Sequence, residues 1–382
     1  MKLRIFNTES NTISTIKKPA YYIPLLMAIF IGGAMWNADL IADTIQRIPP
    51  DPLESDVIPS MVYYVQRMLN GEVVYQPMHF PSWTVDPTYM PFMWLPYTFS
   101  ELANIDYRWT PFVYFLLVLP FYYYRLYKVE DNLYFTIFKA LAPFLIINQL
   151  LITNDNYFGR SVELTIVAHY LILCLTVFHR SKLVIALGII ICLLSRYAFS
   201  FWLPVYLLIY WAEYGFKGAF KIGLYIVAGI VLFYILPFLS QRWEAFPKGM
   251  AYYADTVNTM WFPKPWQKPT DKPFYLMRGL SFSIYFYDFM GGEVLDRLGT
   301  NKLVHLVVSI LAAAGIFYGY WFNRMKNMNV RLYLIFALKI YLVIFFSLMY
   351  VPFTYLWMLP LFMSLPILYN INMGQILKLK ND

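Results

Sequence analysis

Acidic side chains are concentrated in one short part of a chain that otherwise contains few of them. Only 22 of the 382 residues are Asp or Glu. One stretch of the sequence carries Asp39, Asp43, Asp51, Glu54 and Asp56. A carboxylate at a reacting centre can take or orient the proton of an acceptor hydroxyl or amine. Asp56 is the first candidate for such a base, because it directly precedes a helical pattern.

Arginine side chains provide the complementary chemistry. A phosphate leaving group requires positive charge where negative charge develops, and guanidinium groups bind phosphate through paired hydrogen bonds. The candidate phosphate-binding residues are Arg160, Arg196, Arg242 and Arg278. Arg196 lies between two apolar runs with no charged neighbour in the sequence, so it requires an anion in the fold. That anion is a lipid phosphate, a protein carboxylate or a membrane head group.

Each of these residues also has a simpler structural interpretation. Asp56 could cap the following helix. Arg160 and Glu163 are three residues apart and could pair with each other. Asp155 could simply end an apolar segment, and we place it with Asp39, Asp43 and Glu54 as possible supporting acids. No His or Cys spacing predicts a metal site. We predict no cofactor, although carboxylates near Asp56 are of the type that binds divalent cations.

Composition defines the elements that position these side chains. The chain is 60% hydrophobic and 14% charged, with a mean hydropathy of +0.51, whereas soluble domains are about 25% charged. Continuous rather than alternating apolar runs favour membrane helices over a β-barrel. We predict an all-α polytopic transmembrane bundle of about ten spans, at 20–36, 109–125, 133–152, 161–178, 183–195, 197–211, 220–238, 302–322, 331–349 and 354–370.

Basic residues indicate the orientation of these spans. They fall at alternate connections, which places both termini in the cytoplasm under the positive-inside rule. Residues 1–382 then form one membrane domain with two long external loops, the first loop (37–108) and the second loop (240–300). The net charge of +8 does not indicate nucleic-acid binding, because the placement of the charges matters more than their sum. Membrane lipids are the expected surroundings.

The first loop contains two predicted interfacial helices. Within 57–69, apolar side chains recur at helical spacing, and Gly71 suits the position just after the helix. A second apolar stretch at 88–104 is interrupted by Pro91 and Pro96. We interpret it as an interfacial or re-entrant helix rather than a full span.

Four segments together resemble one family. They are SDVIPSMVYYVQRMLNGEVVY (Ser55–Tyr75), PTYMPFMWLPY (Pro87–Tyr97), LLSRYAFSFWLP (Leu193–Pro204) and PFTYLWMLPLF (Pro352–Phe362). With the preceding first span and acidic loop, their order resembles the GT-C superfamily of integral-membrane glycosyltransferases, in particular its mannosyltransferase-like members. The resemblance covers most of the chain in the order of elements, and its motifs are individually loose.

The resemblance implies an inverting transferase that takes one sugar from a polyprenyl-phosphate donor. The acceptor would be a glycan, a lipid or a protein, and the active site would face the periplasm from a bacterial inner membrane, or the lumen in a eukaryote. In the family an acid of the first external loop is the usual catalytic residue, and Asp56 matches that position best. Glu54 and Asp51 are alternatives. So are Asp39 and Asp43, because this first loop is long before Asp56.

Other functions fit parts of the same pattern. A transporter or flippase of lipid-linked saccharides would place ionisable residues through the bilayer depth, whereas most fall here near the external ends of spans. A polysaccharide polymerase or ligase would also use external arginines, and a non-catalytic subunit is a further alternative. The acidic first loop favours transfer of a single sugar.

Overall fold

The computed structural model describes residues 19–129, 131–154, 156–177, 179–323 and 329–370. The described chain is almost entirely helical, as predicted, and its strands β1 (Met78–His79) and β2 (Thr84–Val85) form a short antiparallel hairpin. Among the described residues, five helical segments are long and apolar enough to cross a membrane. They are Tyr22–Arg47, Leu133–Thr153, Phe216–Ile235, Val294–Asn323 and Val330–Ser347.

The helices follow one another with short connections except in the two long loops. In the first half they are α1 (Tyr22–Arg47), α2 (Val57–Leu69), α3 (Pro91–Trp94), α4 (Thr98–Ala103), α5 (Trp109–Lys128), α6 (Leu133–Thr153), α7 (Asn156–Gly159) and α8 (Glu163–Thr176). In the second half they are α9 (Lys182–Leu193), α10 (Trp202–Tyr214), α11 (Phe216–Ile230), α12 (Ala245–Met260), α13 (Ser283–Phe289), α14 (Val294–Asn323), α15 (Val330–Ser347), α16 (Met358–Phe362) and α17 (Ser364–Asn370).

The predicted helix over 57–69 is confirmed as α2. Its buried face includes Met61, Tyr64 and Val65, which are the apolar positions of the sequence pattern. At its end the N–H of Glu72 donates to the carbonyl of Arg67 (2.8 Å) and that of Gly71 to Met68 (3.2 Å). Gly71 has a φ of 71°, so this is the left-handed helix end that glycine favours.

Several predicted boundaries differ from the observed ones. The stretch 88–104 folds as α3, a 3₁₀ turn and α4, which are together too short and broken to span a membrane. The predicted span 354–370 is also broken, into a 3₁₀ turn over 354–357, α16 and α17. Proline cannot donate a backbone hydrogen bond, and Pro360 and Pro366 lie in this region. Helix α14 begins at Val294 rather than at 302, and α1 continues to Arg47.

The core is built around α8, which packs against α5, α9 and α16. Nearly all of its residues are buried, including both its polar and its apolar side chains. The two cysteines, Cys174 and Cys192, are buried and free. Glu163 is the first residue of α8, so the packing of this central helix fixes the position of the Glu163 carboxylate.

The two long loops pack against each other and against the segment that follows α15. Gly249 on α12 lies so close to the carbonyl of Pro87 that a Cβ atom would clash with it, and Gly279 lies equally close to the carbonyl of Pro352. The indole N–H of Trp261 donates to the carbonyl of Tyr350 (2.8 Å). Residues far apart in the sequence therefore meet at one end of the helical bundle.

Candidate functional site

Asp56 occupies the N-cap position of α2 without acting as a cap. Its side chain makes no capping hydrogen bond to the helix. The carboxyl is half-buried, and burial raises its pKa. Among the described residues no cation forms an ion pair with it. A carboxylate that neither caps its helix nor pairs with a cation is free to interact with a bound molecule.

Asp56 lies within electrostatic range of tyrosine side chains from separate parts of the chain. Its charge acts on the hydroxyls of Tyr89, Tyr252, Tyr275 and Tyr355. For Tyr89, burial raises the pKa most and Asp56 raises it further, whereas Arg196 lowers it. The first loop, α12, the second loop and the segment after α15 thus all contribute to the surroundings of one carboxylate.

Two arginines act on the same hydroxyls. Tyr355 interacts with the charges of both Arg196 and Arg278 as well as with that of Asp56. Tyr275 interacts with Arg278 and Asp56. Asp56, Arg196 and Arg278 therefore border one cluster, which we call the tyrosine cluster (Tyr89, Tyr252, Tyr275 and Tyr355).

Arg196 has a protein carboxylate as its partner. Its guanidinium donates to Oε2 of Glu163, whose side chain is fully buried while that of Arg196 is 18% exposed. The anion that the sequence required is thus Glu163, at the start of α8. The ion pair joins the break between α9 and α10 to the central helix, so it holds Arg196 beside the tyrosine cluster.

The structural alternative in which Arg160 pairs with Glu163 does not form. Glu163 binds Arg196, and Arg160 instead forms an ion pair with Glu54 of the first loop. The hydroxyl of Ser55 also donates to the carbonyl of Arg160 (3.1 Å). Spacing along the sequence favours Arg160 and Glu163 as partners, but folding brings Glu54 of the first loop to Arg160 instead. These two contacts fix the backbone immediately before Asp56.

Arg160 and Arg278 lie close enough to repel each other. Burial lowers the pKa of Arg160, and the positive charge of Arg278 lowers it further. Arg278 itself lies 4.9 Å from the centre of the Phe274 ring and has no ion-pair partner among the described residues. Like charges held together in this way favour the binding of an anion between them.

Three buried polar atoms of this region have no hydrogen-bond partner within the described chain. They are Nε of Arg160, Nε of Arg196 and Oε1 of Glu163. Buried polar groups are normally satisfied, and each exception requires an explanation. The two Nε–H groups are donors, so an acceptor such as a phosphate oxygen would complete them.

The remaining candidates do not join this site. Asp43 pairs with Arg47 (2.9 Å) on the exposed end of α1, and Asp39 is exposed on the same helix. A cavity of about 360 Å³ lies there, between α1 and α6, and is lined partly by Asp43 and Arg47. None of the residues of the tyrosine cluster lines this cavity. Arg242 pairs with the exposed Glu244 (2.9 Å), and Asp155 lies outside the described residues.

Sequence reasoning missed several residues of this region. Asp86 acts on Tyr252 together with Asp56, and Glu163 was considered only as a partner for Arg160. The sequence contains 34 tyrosines, so nothing distinguished those of the tyrosine cluster from the rest. Within the described ranges, no three His, Cys, Asp or Glu side chains are arranged to hold a metal ion.

Comparison with known proteins provides no relative from which to transfer a function. No protein family, curated protein or solved structure matches the chain. The function must therefore be argued from the residues of this chain.

Proposed function

We propose that the protein is an inverting membrane glycosyltransferase of the GT-C type, which transfers one sugar from a polyprenyl-phosphate donor to an acceptor. One observation carries the proposal. Within the described part of the chain, the acid Asp56 and the cation Arg278 both lack an ion-pair partner, and both charges lie within electrostatic range of the hydroxyls of Tyr275 and Tyr355. This supports a base and an anion-binding group in one site, as transfer from a phosphate donor requires.

The reaction needs both charges at once. The acceptor hydroxyl attacks the anomeric carbon from the face opposite the phosphate, and its proton passes to the Asp56 carboxylate. The bond between the anomeric carbon and the phosphate oxygen breaks, and its electron pair remains on that oxygen. Arg278 and Arg160 stabilise the additional negative charge on the departing polyprenyl phosphate.

Arg196 adds a cation from within the depth of the membrane. Helix α9 has 12 residues, which span about 18 Å at 1.5 Å per residue. The hydrocarbon core is about 30 Å thick, so a helix that enters at Lys182 ends well before the opposite surface. Arg196 would therefore line the floor of a cavity that opens outward, with its position fixed by Glu163.

The membrane arrangement that fits this chemistry has about ten spans. The five long helices would be joined by shorter apolar ones such as α8 and α9, with both termini in the cytoplasm. The first and second loops would then face the periplasm from a bacterial inner membrane, where polyprenyl-linked sugars and extracytoplasmic acceptors meet. Glycan, lipid and protein acceptors all remain compatible with this site.

The decisive experiment is a donor panel. Purified protein is incubated with polyprenyl phosphates that carry different hexoses and pentoses, together with glycan, lipid and peptide acceptors. We expect one donor to be converted to free polyprenyl phosphate by the wild type and by Asp43→Asn, but not by Asp56→Asn. Failure of the wild type to bind or turn over any donor, or full activity of Asp56→Asn, would contradict the proposal.

A transporter of lipid-linked saccharides is the second candidate, because one long helix carries a polar face. Asn301, His305 and Ser309 are spaced one turn apart on α14 and are all buried. Both polar side-chain atoms of Asn301, Nε2 of His305 and Oγ of Ser309 lack partners within the described chain. Polar groups inside membrane helices often mark a substrate path. Uptake of a labelled lipid-linked saccharide into proteoliposomes, reduced by His305→Leu, would favour this function.

A further inference from the structure

The second loop exposes a row of apolar side chains that belong to none of the long apolar helices. Met277, Leu280, Phe282, Tyr285 and Phe289 are 53–79% exposed. The rings of Phe282 and Tyr285 are 6.0 Å apart, and those of Tyr285 and Phe289 are 6.2 Å apart. We call these five residues the exposed stripe. Such a group of exposed apolar side chains on a loop indicates a binding surface.

The backbone beneath the exposed stripe is firmly attached to the rest of the protein. The N–H of Phe282 donates to the carbonyl of Ser347 (2.8 Å), and the hydroxyl of Ser281 donates to that of Met349 (2.7 Å). The guanidinium of Arg297 donates to the carbonyl of Tyr287 (2.7 Å). The opposite face of α13, which includes Phe286 and Tyr287, packs against a second buried cluster. The stripe is therefore presented outward while its own helix is already packed.

Positive charge lies at one end of the exposed stripe. Arg278 directly follows Met277 and is one of the two arginines whose charge acts on the tyrosine cluster. Lys264 lies 4.6 Å from the centre of the Tyr275 ring on the same part of the loop. Farther along, the charge of Asp288 is paired with Lys272 (2.6 Å). A ligand with an anionic head at Arg278 and a long apolar tail matches this order of charge and hydrophobic surface.

We infer that the exposed stripe binds the isoprenoid chain of the sugar donor. This inference rests on the proposed function, since it assigns the phosphate of that donor to Arg278. The phosphate lies between Arg278 and Arg160, and the chain leaves the site over Met277 and Leu280. It then continues across the rings of Phe282, Tyr285 and Phe289. The surface therefore selects polyprenyl phosphates over short-chain phosphates that carry the same head group.

The bilayer as a whole is a poorer match for this surface. Bulk lipid would contact any exposed apolar residue, such as Tyr318 and Phe322 of α14, without regard to Arg278. The exposed stripe instead begins next to Arg278, whose charge acts on Tyr355 together with that of Asp56. Its position connects the place where the sugar reacts to the place where a lipid tail must lie.

The test compares binding of a long and a short ligand without any sugar. Affinities of a polyprenyl phosphate and of a two-isoprene phosphate are measured for purified protein in nanodiscs. The wild type should prefer the long chain. The double variant Tyr285→Ser/Phe289→Ser should lose roughly tenfold in affinity for the long chain because apolar contact area is removed, and should bind the short one as the wild type does.

The matched control is Tyr318→Ser/Phe322→Ser. These residues are also four apart on a helix, are about 60% exposed and have ring centres 4.8 Å apart, so the control removes the same kind of surface. It should keep the preference for the long chain. No chain-length preference in the wild type, or an equal loss in both double variants, would overturn the inference. If the preference depends on the exposed stripe but no sugar donor is turned over, the stripe inference stands and the transferase proposal falls.

Discussion

Glu163 and Arg196 form an ion pair across 33 residues of sequence, with the carboxylate fully buried and the guanidinium at the edge of the tyrosine cluster. Glu163 starts the most deeply packed helix, and Arg196 lies at the break between two short ones. The ion pair therefore fixes the position of Arg196 relative to the helical core. Arg196 can also meet an anion through its Nε–H, which has no partner within the described chain.

Removal of Glu163 should be strongly destabilising. In Glu163→Ala the guanidinium of Arg196 loses its carboxylate in a largely buried setting, and breaking such a pair costs about 3 kcal/mol. We expect a clear fall in melting temperature in detergent. Glu244→Ala is the matched control, because it removes the carboxylate from the exposed Arg242 pair and should leave the melting temperature unchanged. Equal shifts in the two variants would contradict a special role for Glu163.

Asp56→Asn should separate activity from stability. We expect sugar transfer to fall by roughly 100-fold or more, because the amide cannot accept the acceptor's proton. The same variant should melt at a higher temperature than the wild type at neutral pH, since burial disfavours the charged carboxylate. Differential scanning calorimetry and a transfer assay on one preparation test both effects. A lower melting temperature would show that the carboxylate is structural.

The pH dependence follows from the raised pKa of Asp56. The folded state holds this proton more tightly than the unfolded state, whose carboxyl titrates near 3.9. The contribution of Asp56 to stability therefore falls as the pH rises from the unfolded pKa through the folded one, and stays low above it. Transfer needs the ionised form, so kcat/KM should rise over the same range as the folded group ionises, at a pH above the unfolded pKa. An acid limb centred at or below 3.9 would be inconsistent with a buried base.

Sequence reasoning predicted local structure well where one helix face is apolar. The helix α2 was found from the spacing of Met61, Tyr64 and Val65, and its end from Gly71. Both signals are local, because they depend on helical geometry and on a single backbone conformation.

Partner choice could not be predicted in this way. Glu54 and Arg160 are 106 positions apart, and only the packing of the first loop brings them together. The tyrosine cluster draws on the first loop, two separate parts of the second loop and a broken final segment, and no periodic pattern joins them. The sequence does not single out Asp86, because this residue lies in an irregular stretch with no spacing that relates it to Asp56.

Arg278 should matter more than Arg242 for donor binding. Arg278→Gln removes a cation that has no ion-pair partner among the described residues and whose charge acts on the tyrosine cluster, and hydrogen bonds to charged groups contribute about 1.5–3 kcal/mol. We expect kcat/KM for the polyprenyl-phosphate donor to fall roughly 10- to 100-fold. Arg242→Gln is the control in the same loop, with its charge already paired to Glu244. Similar losses in both variants would indicate a general effect of loop charge instead of a site at Arg278.

Helix α12 packs against the first loop at Gly249, and we expect this packing to be needed for activity. A Cβ at this position would clash with the carbonyl of Pro87, which cannot move without displacing Asp86 and Thr88 on either side. Overpacking of this kind costs about 1–3 kcal/mol. Gly249→Ala should therefore lower both the melting temperature and the transfer rate, because α12, which carries Tyr252, would be displaced from the first loop. Gly291→Ala provides the control in the same loop, since nothing lies within 4 Å of the added atom and both quantities should stay at wild-type values. A fully active Gly249→Ala would mean that the two loops need not meet for transfer, and that Tyr252 lies outside the working site.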